Sequence, residues 1–191
     1  MVFKYKFGIP EVFAMVIGTL LLVGTGATMR ALNIPFVTET EAVVIAVVAA
    51  LFGPTAGGVV TVATEIVYLT VFQFDTDPAA LIAFLLLAIM IGHYADDFYV
   101  REGKFEGRKI LNWCVTYLVV QGFAWMFMIP FLRFLFTKEN LFDMLWDSLS
   151  GLGFICVALI IITPVFYLAS VLMRRSIEKN RIRPVQEDGL R

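Results

Sequence analysis

The sequence predicts an all-α membrane protein with six transmembrane helices, of which the second is short, in a single integral domain over residues 1–191. Hydrophobic residues make up 60% of the chain and charged residues 16%, whereas soluble domains average about 25% charged residues. The mean hydropathy is +0.85, and the apolar residues fall into six runs separated by polar loops. The loops leave almost nothing for a soluble catalytic domain, so function is expected to lie between the helices.

The first three helices are predicted over residues 12–32, 42–52 and 56–74. Pro10 and Glu11 precede the first one, where proline and negative charge suit a helix N-terminus. The second run is about eleven residues long and rises about 17 Å, which is too short for a hydrocarbon core of about 30 Å. The Gly53-Pro54 turn joins it to the third run. Short segments beside such breaks line cavities in transport proteins.

The remaining helices are predicted over residues 79–95, 110–136 and 148–173. Pro78 opens the fourth helix, and the longest polar loop, residues 96–109, follows it. The fifth helix is long enough to tilt or bend and contains Pro130. Cys114 and Cys156 both lie in apolar runs, so buried thiols are expected rather than a disulfide or a metal pair.

Lysine and arginine are distributed unevenly between the loops. If the N-terminus is cytoplasmic, twelve of the fifteen basic residues fall on that side, and only Arg30, Arg133 and Lys138 fall on the other. Because basic residues accumulate in cytoplasmic loops, both termini are predicted to be cytoplasmic. The net charge of −1 gives no reason to expect a nucleic-acid partner, and the expected surroundings are a lipid bilayer.

Glu65 lies inside the third apolar run. A carboxylate at the bilayer centre costs roughly 2.5–3.5 kcal/mol on insertion scales, so it is expected to have a partner: a neighbouring helix, a proton, or a ligand with cationic or donor groups. Gln121 is predicted at a similar depth in the fifth helix, with Trp125 one turn further on the same face. These residues are candidates for the floor and wall of a cavity in which a flat heterocycle stacks on the indole. Core packing accounts equally well for Trp125 alone.

The loop over residues 33–41 joins the long first helix to the short second one on the predicted outer side. It is expected to roof the cavity, because loops over a rigid scaffold serve as lids. Its acids Glu39 and Glu41 are candidates for gating or for binding the ligand. Arg30, near the end of the first helix, either snorkels to the membrane surface or faces the cavity.

Ala14 and Gly18 form a small-xxx-small pair on the first helix. Such pairs let helices approach closely in lipid, where packing drives association. The pair is therefore a candidate either for contact with a partner subunit or for packing within the chain.

Residues that carry chemistry are few. His93 with Asp96 and Asp97 offers metal-ligating groups, but a solvated helix terminus beside a basic loop explains them better. The hypothesis that the chain is an enzyme acting on lipid substrates depends on His93 and Asp96 alone. The sequence contains no phosphate-binding G-x-x-x-x-G-K-[ST] loop, so this chain is expected not to power transport itself. No enzyme activity, cofactor or metal is expected.

The order of a full helix, an outer loop, a short helix and the turn Leu51-Phe52-Gly53-Pro54 resembles the substrate-binding membrane subunits (S components) of energy-coupling factor (ECF) vitamin transporters. The riboflavin-type group is most similar, on that turn, Ile34-Pro35, Arg101-Glu102-Gly103-Lys104-Phe105 and Val120-Gln121-Gly122-Phe123-Ala124-Trp125. The similarity covers about residues 12–173. The chain differs from that group at Thr64-Glu65-Ile66 and over residues 36–41, which leaves the substrate open.

The resemblance implies high-affinity binding of a vitamin or related micronutrient, with a riboflavin-like molecule as the best guess, and its passage across a prokaryotic cell membrane. It also implies a transmembrane coupling subunit and two cytoplasmic ATPase subunits as partners, with Ala14 and Gly18 at the contact. The alternative is a structural membrane scaffold of the rod-shape-determining MreD type, which is similar in size and helix number. Glu65 and the acids before the short helix favour a binding cavity over a scaffold.

Overall fold

The structure is a computed structural model that describes residues 8–75, 77–137 and 140–188, with the side chains of residues 137, 141 and 179–188 left undescribed. Eight α-helices follow one another in this part of the chain: α1 Ile9–Ala31, α2 Val37–Phe52, α3 Pro54–Val67, α4 Pro78–His93, α5 Ala95–Phe98, α6 Arg108–Phe123, α7 Ile129–Thr137 and α8 Leu141–Asp188. A π-helical turn, Tyr68–Phe72, prolongs α3, and a second one, Ala124–Met128, joins α6 to α7. The described residues contain no strand, and the predicted all-α class is confirmed.

Four of the helical segments are long and apolar enough to cross a membrane. They are Ile9–Ala31, Pro54–Phe72, Arg108–Phe136 and Phe142–Glu178. The other two long helices, α2 and α4, have 16 residues each, which corresponds to about 24 Å. Helices of membrane-spanning length are thus present. That all six predicted helices cross the membrane stays a prediction.

Ion pairs identify the two ends of the bundle. At one end, which we call the Arg101 end, Arg101 binds Glu11 at the start of α1 at 2.7 Å, and Arg174 of α8 lies 3.1 Å from Glu106. At the opposite end, which we call the Arg30 end, Arg30 lies at the end of α1. The α2–α3 turn also lies at the Arg101 end, beside Glu11, so α1, α2 and α3 alternate in direction. Which end faces the cytoplasm stays a prediction.

Helix α2 lies in the centre of the bundle, because small residues let its neighbours approach. Ala42, Ala46 and Ala49 are completely buried. A Cβ atom built on Gly57 of α3 would lie only 2.8 Å from Cβ of Ala49 and 3.0 Å from Cβ of Ala88 in α4. Close packing through small side chains is the usual basis of helix association in lipid.

The second helix is longer than the eleven-residue segment predicted over residues 42–52. It begins at Val37 and includes Glu39 in its first turn, where a negative charge is favourable beside the helix N-terminus. The residue before it, Phe36, has a positive φ of 67°. Most of the predicted loop over residues 33–41 is therefore helix, and only about five residues connect α1 to α2.

The predicted fifth helix is interrupted rather than continuous. Pro130 is the second residue of α7 and has no N–H to donate to the carbonyl of residue 126, which lies within the π-helical turn Ala124–Met128. The π-helical turn accommodates this missing bond. The last helix also exceeds its predicted bounds of 148–173, since it begins at Leu141. Lys138 lies outside the described residues.

The two cysteines differ in environment. Cys114 is half-buried, with its sulfur 3.8 Å from Oγ1 of Thr163. Cys156 is exposed on the bundle surface, so the prediction that it is buried is wrong. An apolar run predicts a helix in lipid but does not tell which of its residues faces outward.

Candidate functional site

Most of the predicted site residues lie at the Arg30 end, where they form two clusters around the start of α2. The first, the Arg30 cluster, consists of Arg30 from α1, Glu41 from α2, Glu65 and Tyr68 from α3 and its extension, and Phe74 from the segment that follows. Nη2 of Arg30 lies 3.1 Å from Oε1 of Glu41, whose side chain is only 5% exposed. The guanidinium also lies over the rings of Tyr68 and Phe74, at 4.2 and 5.3 Å from their centroids. Arg30 therefore faces the bundle, and the ion pair is reinforced by cation–π contacts.

The Tyr68 hydroxyl ties α3 to both neighbouring helices. Its oxygen lies 3.0 Å from Oε1 of Glu41 and 2.9 Å from the carbonyl oxygen of Leu22 in α1, and its single proton is donated to either acceptor. Gly26 makes this arrangement possible, because a Cβ atom there would collide with the Tyr68 hydroxyl and lie 2.8 Å from the Glu41 carboxylate. Neither Tyr68 nor Gly26 was predicted as a site residue.

Glu65 belongs to the same cluster but is not directly paired. Its charge is attracted by Arg30 and repelled by Asp77. Its Oε2 atom is enclosed without a hydrogen-bond partner among the described residues, and so is Nη1 of Arg30. The Glu65 carboxylate was expected to need a partner in the membrane. Arg30 provides one only in part, through the attraction of its positive charge.

The second group, the Trp125 cluster, consists of Glu39 from α2, Tyr117 and Gln121 from α6, Trp125 from the following π-helical turn, and Gly151 from α8. Gln121 is completely buried and Trp125 is 4% exposed. Nε2 of Gln121 donates a long bond of 3.4 Å to the carbonyl of Ala42. A Cβ atom on Gly151 would lie 2.9 Å from the indole ring of Trp125 and 3.0 Å from Oε1 of Glu39. Glu39 and Trp125 therefore meet at the α8 backbone.

The two clusters have the same construction. In each, a carboxylate from the start of α2 and an aromatic residue from a π-helical turn meet at a glycine of a flanking helix: Glu41, Tyr68 and Gly26 in one, and Glu39, Trp125 and Gly151 in the other. π-helical turns are rare and are frequent at functional sites. Glu65 and Gln121, which were predicted to line one cavity, belong to different clusters.

Buried residues at four-residue spacing follow one face of α6 into the π-helical turn after it. They are Trp113, Tyr117, Gln121 and Trp125, each at most 4% exposed. The Trp113 ring packs on Phe98, Tyr117 and Phe166 with centroid distances of 5.2, 5.1 and 4.8 Å. The spacing is visible in the sequence, although only Gln121 and Trp125 were singled out as candidates.

An ion pair between Arg133 and Asp77 also lies at the Arg30 end. Nε of Arg133 in α7 donates to Oδ2 of Asp77 at 2.7 Å. Asp77 also caps α4, because its Oδ1 accepts from the backbone N–H of Ala79 at 2.9 Å. The positive charge of Arg133 additionally attracts Glu39.

A cavity of about 290 Å³ lies at the opposite, Arg101 end. The start of α1, the α2–α3 turn and residues 95–102 line it, and the ion pair between Arg101 and Glu11 crosses it. Asp96 contributes to its wall, whereas none of the six residues predicted to bind substrate does. His93 is exposed and stacks edge-on against Tyr94 at 5.5 Å. The part of the chain that the structure describes holds no group of three or more metal-ligating side chains.

Ala14 and Gly18 both lie inside the bundle. Ala14 is 9% exposed, and a Cβ atom on Gly18 would lie 3.0 Å from Val60 and 3.1 Å from Val48. Gly18 therefore packs α1 against α2 and α3, and Ala14 is buried one turn before it on the same helix. Of the two alternatives, internal packing is the one that the structure contains.

The fold and the two clusters together define an all-helical protein with helices of membrane-spanning length and with buried charged and polar groups at the Arg30 end. No protein-family model, no curated protein and no solved structure matches the chain.

Proposed function

We propose that the chain binds a small solute within the membrane as the substrate-specific subunit of an ATP-driven importer of the ECF type. The expected substrate is a vitamin or related micronutrient, and a riboflavin-like molecule is the first candidate. The observation that carries the proposal is the set of buried polar groups at the Arg30 end. Among them, Glu65 Oε2, Arg30 Nη1, Thr64 Oγ1 and Trp125 Nε1 have no hydrogen-bond partner in the described part of the chain.

Such groups are costly in an apolar bundle. An unsatisfied buried donor or acceptor costs about 1–3 kcal/mol, and ionisable residues within membrane segments generally mark solute or ion pathways. A scaffold that serves only to hold partners together gains nothing from these groups. A binding subunit does, because its ligand satisfies them.

Energy would come from partners, since the sequence has no phosphate-binding loop. The proposal therefore includes a transmembrane coupling subunit and two cytoplasmic ATPases. Because Gly18 packs internally and Ala14 is buried, the coupling subunit would contact another surface of the chain.

Mass spectrometry of small molecules released from the purified protein tests the proposal. We expect one solute to be retained in near-stoichiometric amounts through purification in detergent and to be released on denaturation. A second membrane protein purified in the same way serves as the control for adventitious binding. If the chain releases only what the control releases, the solute-binding function is wrong and the scaffold alternative gains support.

A further inference from the structure

The connection between α5 and α6 forms a closed turn at the Arg101 end of the bundle. Two backbone hydrogen bonds close residues 99–104, which we call the latch turn. The N–H of Gly103 donates to the carbonyl of Val100 at 3.2 Å, and a second bond of 3.1 Å joins the N–H of residue 104 to the carbonyl of residue 99. Arg101 and Glu102 therefore lie at the tip of the turn, and its bonded base is expected to move as one unit.

Both ends of the latch turn are anchored in the core. Phe98, just before it, and Phe105, at its end, are completely buried. The Phe98 ring packs edge-on against Trp113 of α6, with 5.2 Å between the ring centroids. The Phe105 ring packs in the same way against Phe166 of α8 at 5.9 Å, and the Phe105 N–H donates to Oγ of Ser170 at 3.0 Å. The base of the turn is therefore fixed on α6 and α8.

The tip of the latch turn is attached through one side chain. Nη1 of Arg101 donates to Oε1 of Glu11 at 2.7 Å, and the guanidinium lies over the Phe52 ring at 5.2 Å from its centroid. In the described part of the chain, this is the one ion pair or hydrogen bond between the latch turn and α1, α2 or α3. Glu11 is held in place on its own helix, because its Oε2 accepts from the backbone N–H of Gly8 at 3.0 Å.

The cavity of about 290 Å³ at this end lies beneath that attachment. Residues 99–102 form one of its walls, and Met15, Ala50 and Ala56, each at most 8% exposed, belong to the opposite walls. The side chain of Arg101 is 45% exposed and that of Glu11 is 14% exposed. The ion pair therefore lies between the solvent and a largely apolar interior, which becomes more accessible when the tip moves away.

We propose that the ion pair between Arg101 and Glu11 is a latch that controls access to this cavity. The tip of the latch turn lies against α1 while the pair is intact and moves away when the pair breaks, and the base stays fixed on α6 and α8. A partly exposed pair contributes little to stability, so it can break while the bundle stays folded. Salt and competing charges weaken it. The inference concerns the end opposite the two clusters and does not depend on the proposed function.

Thiol labelling of a Met15→Cys variant measures access to the cavity. Met15 lines the cavity, and the smaller cysteine fits in its place. Both native cysteines, Cys114 and Cys156, are replaced by alanine in this parent protein. The purified protein is treated with an uncharged methanethiosulfonate reagent, because the local concentration of a neutral reagent does not change with the charges of the variants. We expect slow labelling of the parent protein, in which the ion pair is intact.

Two substitutions, Glu11→Gln and Arg101→Gln, each remove one charge of the pair from the parent protein. Each should raise the labelling rate by roughly three- to tenfold, which lies between the effects of an exposed ion pair and of a buried charge-assisted hydrogen bond. The double variant should be labelled no faster than either single variant, because both substitutions break the same interaction. Added salt should speed the labelling of the parent protein but not that of Glu11→Gln.

Glu106→Gln is the matched control, because it breaks the neighbouring ion pair with Arg174, which lies outside the cavity. This variant should be labelled at the rate of the parent protein. A second reporter, Ile155→Cys, lies at a completely buried position of α8 and should stay unlabelled unless the bundle unfolds. Unchanged labelling in both Glu11→Gln and Arg101→Gln would overturn the latch. An equal rise in Glu106→Gln, or labelling of Ile155→Cys in the faster variants, would overturn it as well, since general loosening then explains the effect.

Discussion

Replacing Gly92 by alanine is expected to destabilise the protein by about 3 kcal/mol or more, because overpacking against atoms that cannot move is costly. Gly92 lies near the end of α4, against the turn between α2 and α3. A Cβ atom there would collide with the Pro54 nitrogen and lie 2.5 Å from the Pro54 Cα and 2.8 Å from the Gly53 carbonyl carbon. All three are backbone atoms, so the helix or the turn must shift. Thermal unfolding in detergent measures the effect.

Gly122→Ala is the matched control, because Gly122 is also within a helix and a Cβ atom there meets nothing within 4 Å. It should leave the melting temperature unchanged or raise it slightly, since alanine is the better helix former. Equal melting temperatures for Gly92→Ala and Gly122→Ala would contradict the close packing of α4 on the Gly53-Pro54 turn.

Glu41→Ala is expected to cost about 3 kcal/mol, the lower end of the range for breaking a buried ion pair. The substitution leaves the Arg30 guanidinium, whose side chain is 29% exposed, without its partner, and it removes one of the two acceptors of the Tyr68 hydroxyl. The loss should appear as a lower melting temperature of the purified protein. It should be larger than the loss for Glu41→Gln, which retains an acceptor for Tyr68.

Glu106→Ala controls for the simple removal of a carboxylate. Glu106 pairs with Arg174 at 3.1 Å, but both side chains are more than half exposed, and exposed pairs contribute about 0–1 kcal/mol. If Glu41→Ala lowers the melting temperature no more than Glu106→Ala does, the Arg30 cluster does not hold α1, α2 and α3 together.

The sequence was sufficient for the helical class, because apolar runs of membrane length separated by polar loops have few other solutions. The predicted helix boundaries were less accurate where charged residues suggested a loop. Glu39 and Glu41 suggested a loop, yet acids are favourable in the first turn of a helix, and α2 begins at Val37. Pro130 was recognised as a source of bending, but the π-helical turn before it depends on how the backbone compensates for the missing donor.

The site was predictable only in part. Arg30, Glu41 and Glu65 stand out as charges in apolar surroundings, and the structure brings them together at the Arg30 end. The pairing of Glu41 with Tyr68 joins residues 27 positions apart, and no local pattern indicates it. The role of Gly26 depends on that pairing. By contrast, the four-residue spacing of Tyr117, Gln121 and Trp125 is present in the sequence but is equally typical of a packed helix face.

Hydrogen–deuterium exchange of the protein with and without its solute tests most directly whether the chain binds a ligand at the Arg30 end. Exchange rates report local opening, and a bound ligand slows exchange around its site. The account predicts added protection over residues 37–42, 64–68 and 121–128, which include Glu39, Glu65 and Trp125. Protection confined to residues 50–56 and 95–102 would place the ligand in the cavity at the Arg101 end and contradict the account.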